Sequence, residues 1–237
     1  MKPALVIGTL AFGALAPARA EAQSFQCRMS RAPVSVPVVK RDSPVRRMPV
    51  TGYTFALGWS PEFCRTRQSS GRDAMQCSGS NGRFGFIVHG LWPDGSNGRW
   101  PQWCATNRRP TSAMLRRNLC HSPSPRLLTR QWFKHGSCMT SRPNTYFNVQ
   151  RILFDAWRWP DIDRMSREDG LTVGTLRRRL ASANPGLMER AIGIKLNRRG
   201  WLQELRVCYG KDFMPTPCDT RRFGPKDGTP LKIWRGL

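Results

Sequence analysis

The sequence predicts an α+β domain. Two-residue apolar alternations mark strands at 53–59, at 84–88 and twice within 191–210, and helical apolar stripes lie between 128 and 180. Eight cysteines, an even number, add a disulfide framework.

The chain opens with "MKPALVIGTLAFGALAPARA", a lysine, an apolar run and the A-x-A pattern Ala18-Arg19-Ala20. Residues 1–20 therefore read as a secretory signal peptide. The apolar run is a dozen residues, short of the roughly 20 that span a bilayer. No later stretch is apolar enough to cross one, so no integral membrane association is expected, and the protein is expected to be exported, to a periplasm or beyond the cell. Lys and Arg number 39 against 15 Asp and Glu, a formal net charge of +24. A field of this size attracts polyanions, nucleic acid first, because each phosphate neutralised releases counterions. Anionic envelope surfaces would be attracted too, but no amphipathic basic helix points to a membrane-active protein.

Residues 21–50 form a basic, proline-rich arm. From Arg28 to Val50 it holds four prolines and six basic residues with one acid. Proline removes donors and disfavours helix, so an extended, mobile linker is expected. The folded domain, 51–237, begins with "GYTFALGW", where Tyr53, Phe55, Leu57 and Trp59 alternate as a half-buried strand. The polar stretch after it would be stapled by a Cys64–Cys77 bridge. "RFGFIVHGLWPDG" reads as a strand that Gly90 and Pro93 break, leaving His89 at its end.

In "TRQWFKHGSC" a short helix puts Gln131, Lys134 and His135 on one face, with Leu128 and Trp132 towards the core. "NTYFNVQRILFDAWRW" predicts a longer helix, capped by Asn144, with Val149, Leu153 and Trp157 as its buried stripe. "TVGTLRRRLASANPGL" predicts another that buries Val173, Leu176 and Leu180. "AIGIKLNRRGWLQELRVCYG" reads as a β-hairpin turning at Asn197–Gly200. Cys208 within it and Cys218 are near enough in sequence to bridge. Cysteines 27, 64, 77, 104, 120, 138, 208 and 218 include no C-x-x-C pair, and there are three histidines, so no metal site and no cofactor is expected.

His89 and His135 lie in contrasting segments, and each alone reads as a hydrogen-bonded structural histidine. Together, in a basic exported chain, they suggest a specific chemistry. Cutting RNA without a metal needs a base for the 2'-hydroxyl proton, an acid for the departing 5'-oxygen and a fixed cation for the charge on phosphorus. Two imidazoles with pKa values of about 6.5 supply the first two, and Lys134 the third.

"FIVHGLWPDG" and "QWFKHGSC" resemble the two active-site segments of the T2 family of secreted endoribonucleases, and "YTFALGWSPEFC", "TYF", "NPGL" and "LQELRVC" extend the resemblance from about Tyr53 to Cys218. The resemblance implies a central antiparallel sheet flanked by helices. It makes His89 the general acid, His135 the general base and Lys134 the stabiliser of the pentacovalent phosphorus, acting on single-stranded RNA through a 2',3'-cyclic phosphate. DNA, without a 2'-hydroxyl, would not be cut, and a monomer is expected. Trp92 matches a position that stacks on a base and Asp94 one that hydrogen-bonds it; the alternatives are that Trp92 packs beneath the loop and Asp94 caps the turn at Gly95.

Many relatives carry His-Glu where this chain has Arg130-Gln131. Arg130 still binds phosphate but passes no proton at ordinary pH, and Gln131, still able to contact substrate through a hydrogen bond, no longer offsets Lys134. The second reading is therefore a catalytically impaired cationic RNA-binding protein on the same fold. His121, in a proline-rich loop nine residues before Arg130, reads as a surface histidine. The resemblance also implies the pairs Cys64–Cys77, Cys104–Cys138 and Cys208–Cys218, which leaves Cys27 with Cys120.

Overall fold

The computed structural model describes residues 26–67 and 71–236; the leader expected at 1–20 lies outside them. Four antiparallel strands, β1 (Gly52–Trp59), β2 (Phe86–Asp94), β3 (Ile192–Leu196) and β4 (Leu202–Tyr209), form one sheet in the order β2-β1-β4-β3. The alternation in β1 predicted one buried face, yet Thr54, Phe55, Ala56 and Leu57 are all buried. Pairing on both sides places β1 inside the sheet, where successive side chains point to opposite faces that are both covered.

β2 does not stop at Gly90. It continues through Pro93 to Asp94, because β1 is long enough to pair with it as far as Gly52↔Asp94. Pro93 offers no N–H, but β2 is the outer strand, where that loss is tolerated. His89 is thus within the strand rather than at its end. Ala56 pairs with Gly90 and Leu57 with Val88, so His89 is the extra residue of a β-bulge. A bulge re-aims the side chain it carries.

Eight helices surround the sheet among the described residues: α1 (Ser60–Cys64), α2 (Ala74–Cys77), α3 (Ser112–Asn118), α4 (Pro125–Lys134), α5 (Pro143–Asp155), α6 (Ile162–Met165), α7 (Val173–Ala183) and α8 (Thr220–Phe223). No described helix is long and apolar enough to cross a membrane. α5 starts one residue before the expected Asn144 cap, with Arg142 as N-cap and Pro143 in the first turn, where its fixed φ is already helical. Its buried face is Tyr146, Phe147, Gln150 and Phe154, because the aromatic rings claim the core; Val149 and Leu153 pack at its margin, and Trp157 is buried beyond the helix end.

α7 buries Val173, Leu176 and Leu180 as expected, and Arg177 with them. The Arg177 guanidinium donates to the carbonyls of Ile192 (2.9 Å), Phe223 (2.6 Å) and Pro225 (3.1 Å), pairs with Asp227 and lies over the Phe223 ring. It joins α7 to β3 and to the segment after α8.

The expected disulfides are present: Cys27–Cys120, Cys64–Cys77, Cys104–Cys138 and Cys208–Cys218. The arm differs from its expected mobility. Residues 26–50 contain no helix or strand but lie along the domain, through Cys27, a Val34 N–H bond to Ser112 Oγ (2.9 Å) and two backbone bonds between Arg46 and Gln102 (3.0 and 2.9 Å). Met29, Val34 and Val36 pack against the core.

Candidate active site

Ser124 caps α4 by accepting from the Leu127 N–H, and Pro125 opens its first turn. Leu128 and Trp132 bury the core side of the helix, and the Trp132 indole donates to the Arg108 carbonyl at 2.8 Å. The expected single face then separates into two i, i+4 rows. Gln131 and His135 are buried, while Arg130 and Lys134 stand at the rim. His135 ends the helix, and a Cβ on the following Gly136 would lie 2.7 Å from the rings of Trp132 and Tyr146. Gly90, after His89, is constrained in the same way: a Cβ there would lie 2.7 Å from Trp92 Nε1 and closer still to Gln131 Oε1. The glycine in each His-Gly pair is therefore a close-approach residue.

Trp92 stands between the two histidines. Its ring is edge-on to His89 at 5.2 Å and tilted against His135 at 5.7 Å between centroids. Its Nε1 donates to Gln131 Oε1 at 2.8 Å. Gln131, named from the sequence as a substrate contact, thus holds Trp92, and Trp92 spaces the imidazoles. Tyr146 secures the strand beneath by donating its hydroxyl to the Leu91 carbonyl at 3.0 Å.

His89 has a partner that sequence reasoning missed. Its Nδ1 lies 2.6 Å from Glu204 Oε2 on β4, and Glu204 Oε1 accepts from Arg206 Nε at 2.8 Å. Burial alone would raise the Glu204 carboxyl, but the His89 contact and the Arg206 charge hold it at about 2. The carboxylate is therefore ionised across the working pH range, and with Nδ1 engaged the ring presents Nε2 for chemistry. One signal was available: "LQELRVC" places an acid inside an otherwise apolar strand.

His135 is only 7% exposed, and its Nδ1 is buried without a partner among the described residues. Burial, then the charges of Lys134, His89 and Arg130, push its pKa well below the ordinary imidazole value. It is poised to accept a proton near neutrality.

Asp94 is occupied: Oδ1 accepts from Arg222 (2.6 Å) and Oδ2 from Thr54 Oγ1 (2.8 Å). Burial nevertheless raises its carboxyl pKa against those two partners. His121 is not a free surface residue; its Nε2 lies 2.8 Å from Asp155 and its carbonyl accepts from the Val88 N–H. Arg130 and Lys134 both meet Asp42, from the arm. A cavity of about 490 Å³ opens beside His89, lined among others by Gly58, Ile87, Leu127, Arg130 and Glu204.

The model of the Ribonuclease T2 family matches residues 51–159, and the ribonuclease of Aeromonas hydrophila is 40% identical over 172 residues, 68% of this chain and 72% of that protein. The chain belongs to the ribonuclease T2 family. A probable ribonuclease of Haemophilus influenzae is 31% identical over 186 residues, 74% of this chain; the T2 chain described here spans 63% of that relative's length. Two solved structures share the fold: an RNase-related protein from Calystegia sepium (TM-score 0.61, 21% identity, 76% of this chain and 96% of that one) and RNase NT in complex with 5'-AMP (0.58, 19%, 78% and 98%). The T2 match contains both histidine segments but neither Asp42 nor Glu204.

Proposed function

We propose that this protein cleaves single-stranded RNA without a metal, by transesterification through a 2',3'-cyclic phosphate to 3'-phosphate ends. The observation that carries the reading is that two histidines, one paired with Glu204 and one buried, lie either side of Trp92, with Lys134 beside the buried one. His135, desolvated and flanked by cations, takes the 2'-hydroxyl proton. The 2'-oxygen attacks phosphorus as the P–O5' bond breaks, and His89, held at Nδ1 by Glu204, gives a proton from Nε2 to the leaving 5'-oxygen. Lys134 and Arg130 supply fixed positive charge for the phosphoryl oxygens. Water then opens the cyclic phosphate with the two histidines in exchanged roles. DNA is bound but not cut, because it has no 2'-hydroxyl.

The nucleotide seen in the RNase NT complex fits this substrate class. Four disulfides suit an oxidising compartment, so the protein is proposed to act after export, beyond the leader at 1–20.

The deciding experiment is incubation of the mature protein with single-stranded RNA in excess EDTA, with identification of fragment ends. Cyclic and 3'-phosphate ends are expected. The reaction needs His135 unprotonated, so kcat/KM should rise with pH through a limb lying below 6.5, the side to which burial moves that group. Intact RNA that still binds in a salt-dependent way would replace this reading with that of a cationic RNA-binding protein.

Glu204→Gln keeps the size of the side chain but can donate where the carboxylate only accepts, so the preferred tautomer of His89 is lost. A fall in kcat of about 10–10²-fold with little change in KM is expected, by analogy with the carboxylates that orient other catalytic or ligating histidines. Wild-type kcat in this variant would remove Glu204 from the mechanism.

A further inference from the structure

The only acid between Arg28 and Val50, Asp42, lies where the proposed reaction needs an anion. Asp42 Oδ1 accepts from Lys134 Nζ at 3.1 Å, from the Trp103 indole at 3.1 Å and from Ser43 Oγ at 2.9 Å, while Oδ2 takes Arg130. What burial Asp42 has would raise its carboxyl, but the Lys134, Ser43 and Arg130 hydrogen bonds hold it well below the usual carboxylate range. These donors make an oxyanion receptor beside His135.

The receptor is built into the domain. Trp103 adopts φ +54°, a conformation unusual for a bulky side chain, and its backbone N–H donates to the Lys134 carbonyl at 2.8 Å. The neighbouring Cys104 is bridged to Cys138, three residues after His135. Trp103, Arg130 and Lys134 are thus held in place by the same segment that ends in the proposed base.

The strap that brings Asp42 is fixed at both ends, and the stretch between Val34 and Asp42 is held by side-chain packing at Val36. Cys27–Cys120 and the Val34 bond to Ser112 hold one end, and the Arg46–Gln102 pairing holds the other. Among the described residues no hydrogen bond ties the chain to the domain between Val34 and Asp42. The Asp42 side chain remains 41% exposed, so its ion pairs are of the screened, readily exchanged kind.

We propose that this strap is autoinhibitory: the Asp42 carboxylate occupies the receptor formed by Arg130, Lys134 and Trp103, and RNA enters by replacing it with a backbone phosphate. The inference rests on the ribonuclease reading of the site. A phosphodiester presents two non-bridging oxygens, which share one negative charge as a carboxylate's do, to the same donors, and two anions cannot share them. Tethering keeps the carboxylate at an effective concentration on the order of millimolar, so mononucleotides meet stiff competition. A polyanionic strand, drawn by a chain of formal charge +24, can displace it. The device would thus favour polymer over small phosphate esters.

The test compares Asp42→Asn with Asp169→Asn, which removes an equal charge from an exposed site that does not line the cavity. Binding of a ten-residue single-stranded DNA, which carries phosphates but cannot be cut, is followed by fluorescence anisotropy; RNA cleavage is measured in parallel. Since apparent affinity scales with the fraction of open receptor, Asp42→Asn should bind DNA about three- to tenfold more tightly. It should lower KM for RNA without lowering kcat, whereas Asp169→Asn should change neither beyond a small electrostatic increment. Equal affinities for the two variants would overturn the proposal, and so would a fall in kcat for Asp42→Asn at unchanged affinity, which would make Asp42 an orienter of Lys134. Because the DNA measurement needs no turnover, failure of the ribonuclease reading would show separately, as an absence of cleavage in every protein tested.

Discussion

His135→Ala is expected to lower kcat on RNA by about 10²–10⁴-fold, the usual contribution of a positioned acid or base. His89→Ala should cost a similar factor. Both variants should fold. His135 has no hydrogen bond at Nδ1 among the described residues, so its removal orphans no partner, and Glu204 keeps Arg206 when His89 is lost. Binding of single-stranded DNA should therefore change little while cleavage disappears. Since the two proton transfers belong to one displacement, the double variant should be scarcely slower than either single one. Cleavage at near wild-type rate by either single variant would sink the two-histidine scheme.

The largest expected loss of stability lies away from the cleft. Arg177→Met keeps a long apolar stem but leaves the carbonyls of Ile192, Phe223 and Pro225 without their donor and Asp227 without its cation. Asp227 is exposed enough to regain water, but each buried carbonyl left without its donor costs about 1–3 kcal/mol, so a loss on the order of 3–5 kcal/mol is expected. For a chain of this size that corresponds to a fall in Tm of roughly 10 °C. Activity at low temperature should survive, because Arg177 approaches the site only through β3. A shift in Tm of a degree or two would mean that the carbonyls find other donors.

Where periodicity or a motif is local, the sequence could be read directly. β1, the β3–β4 hairpin, α7 and both His-Gly segments follow from patterns confined to a few residues. The misreadings come from context. Pro93 breaks a strand only if the strand needs its N–H, and the outer position of β2 was not visible in its own residues. The α5 stripe was assigned to Val149, Leu153 and Trp157; Trp157 is buried, but Tyr146 and Phe147, with more surface to bury than the two aliphatic residues, lay within a turn before Val149.

The candidate site divides in the same way. His89, Lys134 and His135 announce themselves by type and neighbourhood. Glu204 stands 115 residues from its histidine and Asp42 stands 88 from Arg130, so nothing local pairs them. Gln131, Trp92 and Asp94 were seen as possible substrate contacts, yet the structure engages their polar groups with one another or with Arg222 and Thr54. The composition of the arm was legible, but its position was not: the lone acid among six bases between Arg28 and Val50 looks like noise until two of the domain's cations are found around it.

The bridges Cys27–Cys120 and Cys104–Cys138 overlap along the chain, the second beginning before the first has closed. Any break of the backbone between Cys104 and Cys120 therefore leaves two pieces joined by two covalent links, with His89 on one and His135 on the other. Arg108, Arg116 and Arg117 all lie in that interval and are exposed, a target for an enzyme that cuts after basic residues. A molecule nicked there would still travel as one unit until reduced, and its two halves could not diffuse apart. That amounts to tolerance of damage written into the order of its cysteines.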